Sequence, residues 1–145
     1  MSTEWRKSPP GLVLVAGLGC RRDCSAQLLL ELMQRGLSEH GLDIQAVNAL
    51  ATIDLKRREP GLLELAERLG IPLMPADLNQ LLPFEAQLTH RSIQAYQHTG
   101  CHGIAESAAL AVATRLGSGP ARLLISRQTS PQATFALASA PAQGR

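Results

Sequence analysis

An apolar run that stops at two glycines and gives way to a serine-led helix pattern is the feature that most constrains this chain. Residues 12–18 (Leu-Val-Leu-Val-Ala-Gly-Leu) are apolar without alternation, as a strand buried on both faces must be. Gly17 and Gly19 close the run, and Arg21 and Arg22 follow. Ser25 then stands where an N-cap belongs, with Leu28, Leu29, Leu32, Met33 and Leu37 on one side of the helix behind it. A strand, a glycine turn and a helix start place outward-pointing, partly positive backbone N–H groups beside two guanidinium groups. Two cations at a helix N-terminus oppose its dipole unless an anion lies between them. Gly19, Cys20, Arg21, Arg22 and Ser25 therefore read either as a tight turn or as an anion cradle for carboxylate or phosphate.

The rest of the chain repeats the alternation. Residues 47–53 read as a second strand. Asp54, Lys56, Arg57, Arg58 and Glu59 crowd the loop after it, and Pro60 opens a helix that Gly70 ends. A third strand falls at 71–75, a single helical turn at 77–82 and a second short helix at 92–97. An alanine-rich helix follows over 103–116, from Gly103. Ala105, Ala108, Ala109, Ala111 and Ala113 make it thin enough for its backbone to lie close to a sheet. Residues 122–126 and 134–138 pair as a hairpin. The expected fold is α/β: a single three-layer α/β/α domain over 11–139, with loose tails at 1–10 and 140–145. Its sheet is mainly parallel, with a C-terminal antiparallel hairpin at one edge. Ligands of such sheets sit beyond the carboxyl ends of the strands. The polar clusters fall there: residues 19–25, residues 54–59, and Arg127 with Gln128.

Composition removes several functions. The 145 residues suit one domain, and 45% hydrophobic content is that of a globular chain. A net charge of +2 is too small to signal a nucleic-acid partner. Trp5, Phe84, Tyr96 and Phe135 offer no stacking platform for single strands. Cys20, Cys24 and Cys101 fit no zinc spacing, and Cys101-His102 adjacency splays its side chains apart, so neither a metal nor another cofactor is expected. The odd cysteine count points to a reducing cytoplasm. No segment is long enough to span a membrane, and the apolar run after Arg6 and Lys7 is short for a leader. The glycine pattern lacks the third glycine of a dinucleotide fingerprint and the Gly-Lys-Ser/Thr of a P-loop.

Each remaining candidate has a plain alternative. Asp54 and Lys56 either pair on the surface or serve a ligand, Lys56 meeting its carboxylate. Glu59 before Pro60 is at least a favourable first-turn charge, and Glu106 sits likewise in the first turn of the alanine-rich helix. Glu106 or Asp54 is the candidate general base, with an oxyanion site at the backbone near Gly19. Cys20 is a weaker nucleophile candidate, its thiol lowered by Arg21 and the helix end. His40, His90 and His98 read as solvated.

Three blocks together carry a family resemblance: Gly-Leu-Gly-Cys-Arg-Arg before Ser25, Ala-Thr-Ile-Asp-Leu-Lys with Glu-Pro-Gly-Leu, and Gly-Ile-Ala-Glu-Ser-Ala-Ala-Leu. Over residues 11–139 the chain resembles the C-terminal domain of the cobalamin-biosynthesis protein CbiG. The resemblance implies a role in making the corrin ring of vitamin B12. CbiG is the cobalt-precorrin-5A hydrolase, which opens a lactone and releases acetaldehyde. This chain matches only its last domain, so a precorrin-binding or accessory role is expected first and lactone hydrolysis second. The implied partner is a precorrin or other tetrapyrrole carboxylate, together with other cobalamin-pathway enzymes. Arg21, Arg22, Lys56 and Arg127 would edge the cleft, with Gly19, Cys20, Ser25, Glu59, Gly103 and Gln128 beside them. The family usually carries Lys near the position of Arg127 and a small residue at that of Cys24. Arg57 and Arg58 are expected to be peripheral.

Overall fold

The computed structural model describes residues 11–89, 91, 93, 97 and 103–143. The expected helix at 92–97 lies almost wholly outside them, as do His90, His98, Cys101 and His102.

The first strand, β1 (Leu12–Cys20), runs past the expected end at 18 and is followed by α1 (Ala26–Glu39). Ser25 caps α1 as predicted: its Oγ accepts from the Leu28 amide at 3.1 Å. Next come β2 (Ala49–Ile53), a 3-10 turn at Asp54–Lys56, and α2 (Pro60–Leu69). Pro60 takes the first turn of α2, and Gly70 ends it at φ +69, where a β-carbon would be strained. The short strand β3 (Leu73–Ala76) leads into α3 (Leu78–Leu81), which Asp77 and Gln80 close in a capping box. The long alanine-rich helix is α4 (Ile104–Leu116). The chain closes with β4 (Arg122–Thr129) and β5 (Ala133–Pro141), both longer than their sequence pattern, with β5 passing the expected domain end at 139.

These strands form one five-stranded sheet in the order β3-β2-β1-β5-β4. β1, β2 and β3 are mutually parallel; β5 is antiparallel to β1 and to β4. The expected hairpin is present, and β5 is its inner strand, because its burial on both faces suits a central place. Leu14, Leu18, Leu29, Leu32, Leu62 and Phe135 share one core, beneath α1 and α2. Val15, Leu81, Ala108, Ala109, Val112 and Ala138 share the other, beneath α3 and α4. No described helix is long and apolar enough to cross a membrane.

This winding brings one rim together. α1 and α2 start where β1 and β2 end, and α4 starts above Gly19 on the other face of the sheet. A β-carbon at Gly19 would lie 3.8 Å from Ile104 Cβ. At Gly17 the approach is closer still, since a β-carbon there would lie 1.9 Å from the Ala105 carbonyl oxygen. Gly17 is what lets α4 lie down on β1.

Candidate functional site

The rim is built from the ends of the strands inward. β1 and β2 keep their ladder to Gly17 and Ala51, after which the buried Thr52 Oγ1 donates to the Leu18 carbonyl at 2.8 Å. A threonine here satisfies a carbonyl that the parting strands no longer pair. On the opposite side of β1, the Arg21 amide donates to the Gln132 carbonyl at 2.9 Å and extends the β5 pairing.

Between β1 and α1 the chain turns, with the Cys24 amide on the Arg21 carbonyl at 3.2 Å and Asp23 left-handed at φ 65. Aspartate tolerates that region better than most residues. The Asp23 amide points at Glu59 and donates to its Oε2 at 2.7 Å. Glu59 is 8% exposed and lies 3.6 Å from Lys56 Nζ through its other oxygen. The β1–α1 turn therefore does hold an anion, and the anion is the protein's own carboxylate. Gly61 makes the contact possible: a β-carbon there would sit 2.0 Å from the Cys24 carbonyl oxygen.

The Asp54–Lys56 pair expected from the sequence is replaced by two others. Asp54 binds Arg57 at 2.9 Å, and Lys56 binds Glu59. Both pairs are three residues apart, the spacing that one 3-10 turn brings together, whereas Asp54 and Lys56 are two apart. Arg57, expected to be peripheral, is exposed and pairs with the candidate base Asp54.

Cys20 and Cys24 flank the turn as free thiols. Burial pushes the Cys20 thiol up to about 12, against a smaller downward pull from Lys56. Burial raises Cys24 as well, with Glu59 adding to it. Desolvation outweighs the pull of Lys56, which disfavours the thiolate that a Cys20 nucleophile would need.

On the α4 side Glu106 is 1% exposed. Its Oε1 accepts the Thr89 amide at 2.8 Å, and its Oε2 accepts the Arg127 amide at 2.9 Å and the Thr89 hydroxyl. Thr89 was not legible as a site residue; it is a polar residue after a 3-10 stretch with no local motif around it. Gly103 is buried and extended at the N-cap of α4, where its carbonyl accepts from the Ser107 amide and hydroxyl. Gln128 turns the other way. Its Cγ lies 3.5 Å from where a β-carbon of Gly36 would be, so it packs toward α1.

Among the described residues, Arg21, Arg22 and Arg127 form no ion pair. Arg21 and Arg22 are exposed, and Arg127 is half-buried. Arg127 Nε is enclosed without a hydrogen-bond acceptor. Lys56 follows β2 while Arg127 lies on β4, so three strand spacings, about 14 Å, separate their positions along the rim. The cations share an edge of the sheet rather than a tight pocket. A groove of about 290 Å³ opens beside this edge, between the first turns of α1 and α2, walled by Asp23, Ser25, Gly61, Glu64 and Arg68. Another of about 440 Å³ lies away from it, by Gln45, Asn48 and Gly70.

Comparison with known proteins places this geometry. Residues 14–138 match the model of the family described as cobalamin synthesis G C-terminus. Protein CobE of Sinorhizobium sp is 34% identical over 137 residues, 94% of this chain and 85% of that protein. The cobalt-precorrin-5A hydrolase of Priestia megaterium is 32% identical over 132 residues, which are 89% of this chain and 33% of the hydrolase. A crystal structure of CobE, a protein from the cobalamin (vitamin B12) biosynthetic pathway, superposes with a TM-score of 0.87 at 41% identity, over 99% of this chain and 100% of that one.

Proposed function

Because this chain belongs to the cobalamin synthesis G C-terminus family, a family of cobalamin biosynthesis, we propose that it binds a precorrin or related tetrapyrrole acid along the strand-end rim. Such macrocycles are fringed with acetate and propionate groups. Carboxylates spread around a broad ring call for cations that are spaced out, and Arg21, Arg22, Lys56 and Arg127 are distributed along one edge in that manner. Arginine suits the task, since its planar fork takes a carboxylate through two donors. Gly19 and Ser25 line the same edge beside Cys20 and Glu59.

One observation carries the reading. Arg127 Nε is enclosed and has no acceptor among the described residues, on the rim to which the other cations belong. An enclosed donor without a partner destabilises a fold by about 1–3 kcal/mol, and a ligand carboxylate would remove that penalty. Glu59 already neutralises part of Lys56, which leaves the arginines as the main contacts.

The test is titration with uroporphyrin, an octacarboxylate tetrapyrrole, followed by visible absorbance. Binding is expected to weaken as salt rises, and to weaken about tenfold with Arg127→Ala. Affinity indifferent to salt and to Arg127→Ala would overturn the assignment. We place the protein in the cytoplasm, where other cobalamin-pathway enzymes would deliver or receive the ligand; the free thiols Cys20 and Cys24 support a reducing compartment.

A second reading, lactone hydrolysis, is favoured by the similarity to cobalt-precorrin-5A hydrolase, of which this chain spans one third. Asp54 is the more accessible base, being half-buried where Glu106 is buried. Incubation with a lactone-bearing precorrin is expected to yield no acetaldehyde from this chain alone. Release that Asp54→Asn abolishes would move the assignment to the hydrolase.

A further inference from the structure

We infer that Glu106 is a positioning residue: its carboxylate holds the irregular part of β4 so that the Arg127 side chain is aimed at the ligand. The inference rests on the ligand reading above and gives Glu106 a different task from proton abstraction.

β4 does not pair evenly with β5. Leu123 faces Ala138, Ile125 faces Leu137 and Gln128 faces Phe135, so the register slips twice, the second time across Ser126 and Arg127. A bulge leaves its extra residue out of the ladder and re-aims the side chain there. The Arg127 amide is then a donor in need of an acceptor at a half-buried place, and the acceptor is Glu106 Oε2 at 2.9 Å.

The other end of the arrangement is equally fixed. Glu106 belongs to α4, whose first turn is pressed onto β1 by the missing β-carbon of Gly17. Its Oε1 takes the Thr89 amide, and the Thr89 hydroxyl shares Oε2 with Arg127. One buried carboxylate therefore joins α4, Thr89 and the bulge of β4. A buried carboxylate that accepts from two main-chain amides is suited to holding backbone in place. The charge matters as well as the shape, because main-chain donors bind a carboxylate more strongly than a neutral amide oxygen. In Glu106→Gln, one of the two acceptor oxygens becomes an NH₂ that faces a donor.

The experiment combines amide exchange with a double-mutant cycle, both on the full chain. In the unaltered protein the Arg127 amide is expected to exchange slowly. In Glu106→Gln it should exchange at least about tenfold faster, while Ile125 and Leu137 are unchanged. Uroporphyrin affinity should fall about tenfold in Glu106→Gln and no further in Glu106→Gln/Arg127→Ala than in Arg127→Ala, whereas Arg21→Ala should multiply with either. A purely structural Glu106 would lower the unfolding temperature and leave the affinity of the folded variant intact. That result, or losses that multiply in the double variant, would overturn the inference. So would fast exchange of the Arg127 amide in the unaltered protein, a measurement that needs no variant to fold. Failure of the unaltered protein to bind uroporphyrin would refute the ligand reading alone, and the exchange data would still decide whether Glu106 holds the bulge.

Discussion

The two faces of the sheet are packed by opposite means. Under α1 and α2 the core is mostly leucine with Phe135, so large side chains fill the space between helices and sheet. Under α4 the core is largely alanine, and at Gly17 the helix backbone touches the strand. The first face is held by apolar area removed from water, roughly 1.5–3 kcal/mol for each large side chain. The second buries little per residue and gains closeness instead. That closeness puts the first turn of α4, with Glu106, within reach of Thr89 and Arg127. Stability is concentrated on the leucine side and placement of the site on the alanine side.

If so, the alanine face should be hurt most by addition and the leucine face by removal. Gly17→Ala is expected to have the largest effect, about 4 kcal/mol by urea unfolding, because its new β-carbon meets a backbone carbonyl that cannot swing aside. Adding Ala109→Gly to it should recover little, although Ala109 Cβ is also close, at 2.9 Å; full recovery would show that side chains rather than backbone set the spacing. Leu29→Ala on the other face should cost about 3 kcal/mol, through lost transfer energy and a cavity. Ala109→Gly alone should cost about 1 kcal/mol, as helix propensity predicts; a loss as large as that of Leu29→Ala would break the contrast. The last effect concerns the rim between the faces and is absent at neutral pH. Burial pushes the Cys20 thiol up to about 12, against 9.0 ordinarily. Between those values the unfolded chain loses the proton first, so stability should fall as pH rises from about 9 toward 12 and be unaffected by this group below that window. Cys20→Ala should flatten that part of the curve in thermal melts; an identical slope would mean that Cys20 is more solvated than its position implies.

What the sequence disclosed follows from how local each cause is. The buried β1, the Ser25 cap, the Pro60 start and the Gly70 stop depend on neighbours within one turn, and all four stand in the structure. The thinness of α4 was also legible, since alanine spacing records it directly. The partners of the two buried carboxylates were not. Glu59 reaches an amide 36 residues away and Glu106 one 21 residues away, and no periodicity encodes such separations. Pairing across the sheet decides them, and that pairing depended on β5 entering beside β1. The face that Gln128 serves was not legible for a related reason: the register slips in β4 change which side a residue points to, and a slip leaves no compositional mark.

The slips that direct Arg127 also alter what the molecule presents sideways. β4 is a sheet margin, and a margin with evenly spaced free N–H and C=O groups recruits strands from other chains. Two breaks in its spacing deny it that regularity, and at the far margin Pro75 removes a donor from β3. Neither side therefore offers the evenly spaced ladder that an added strand would need.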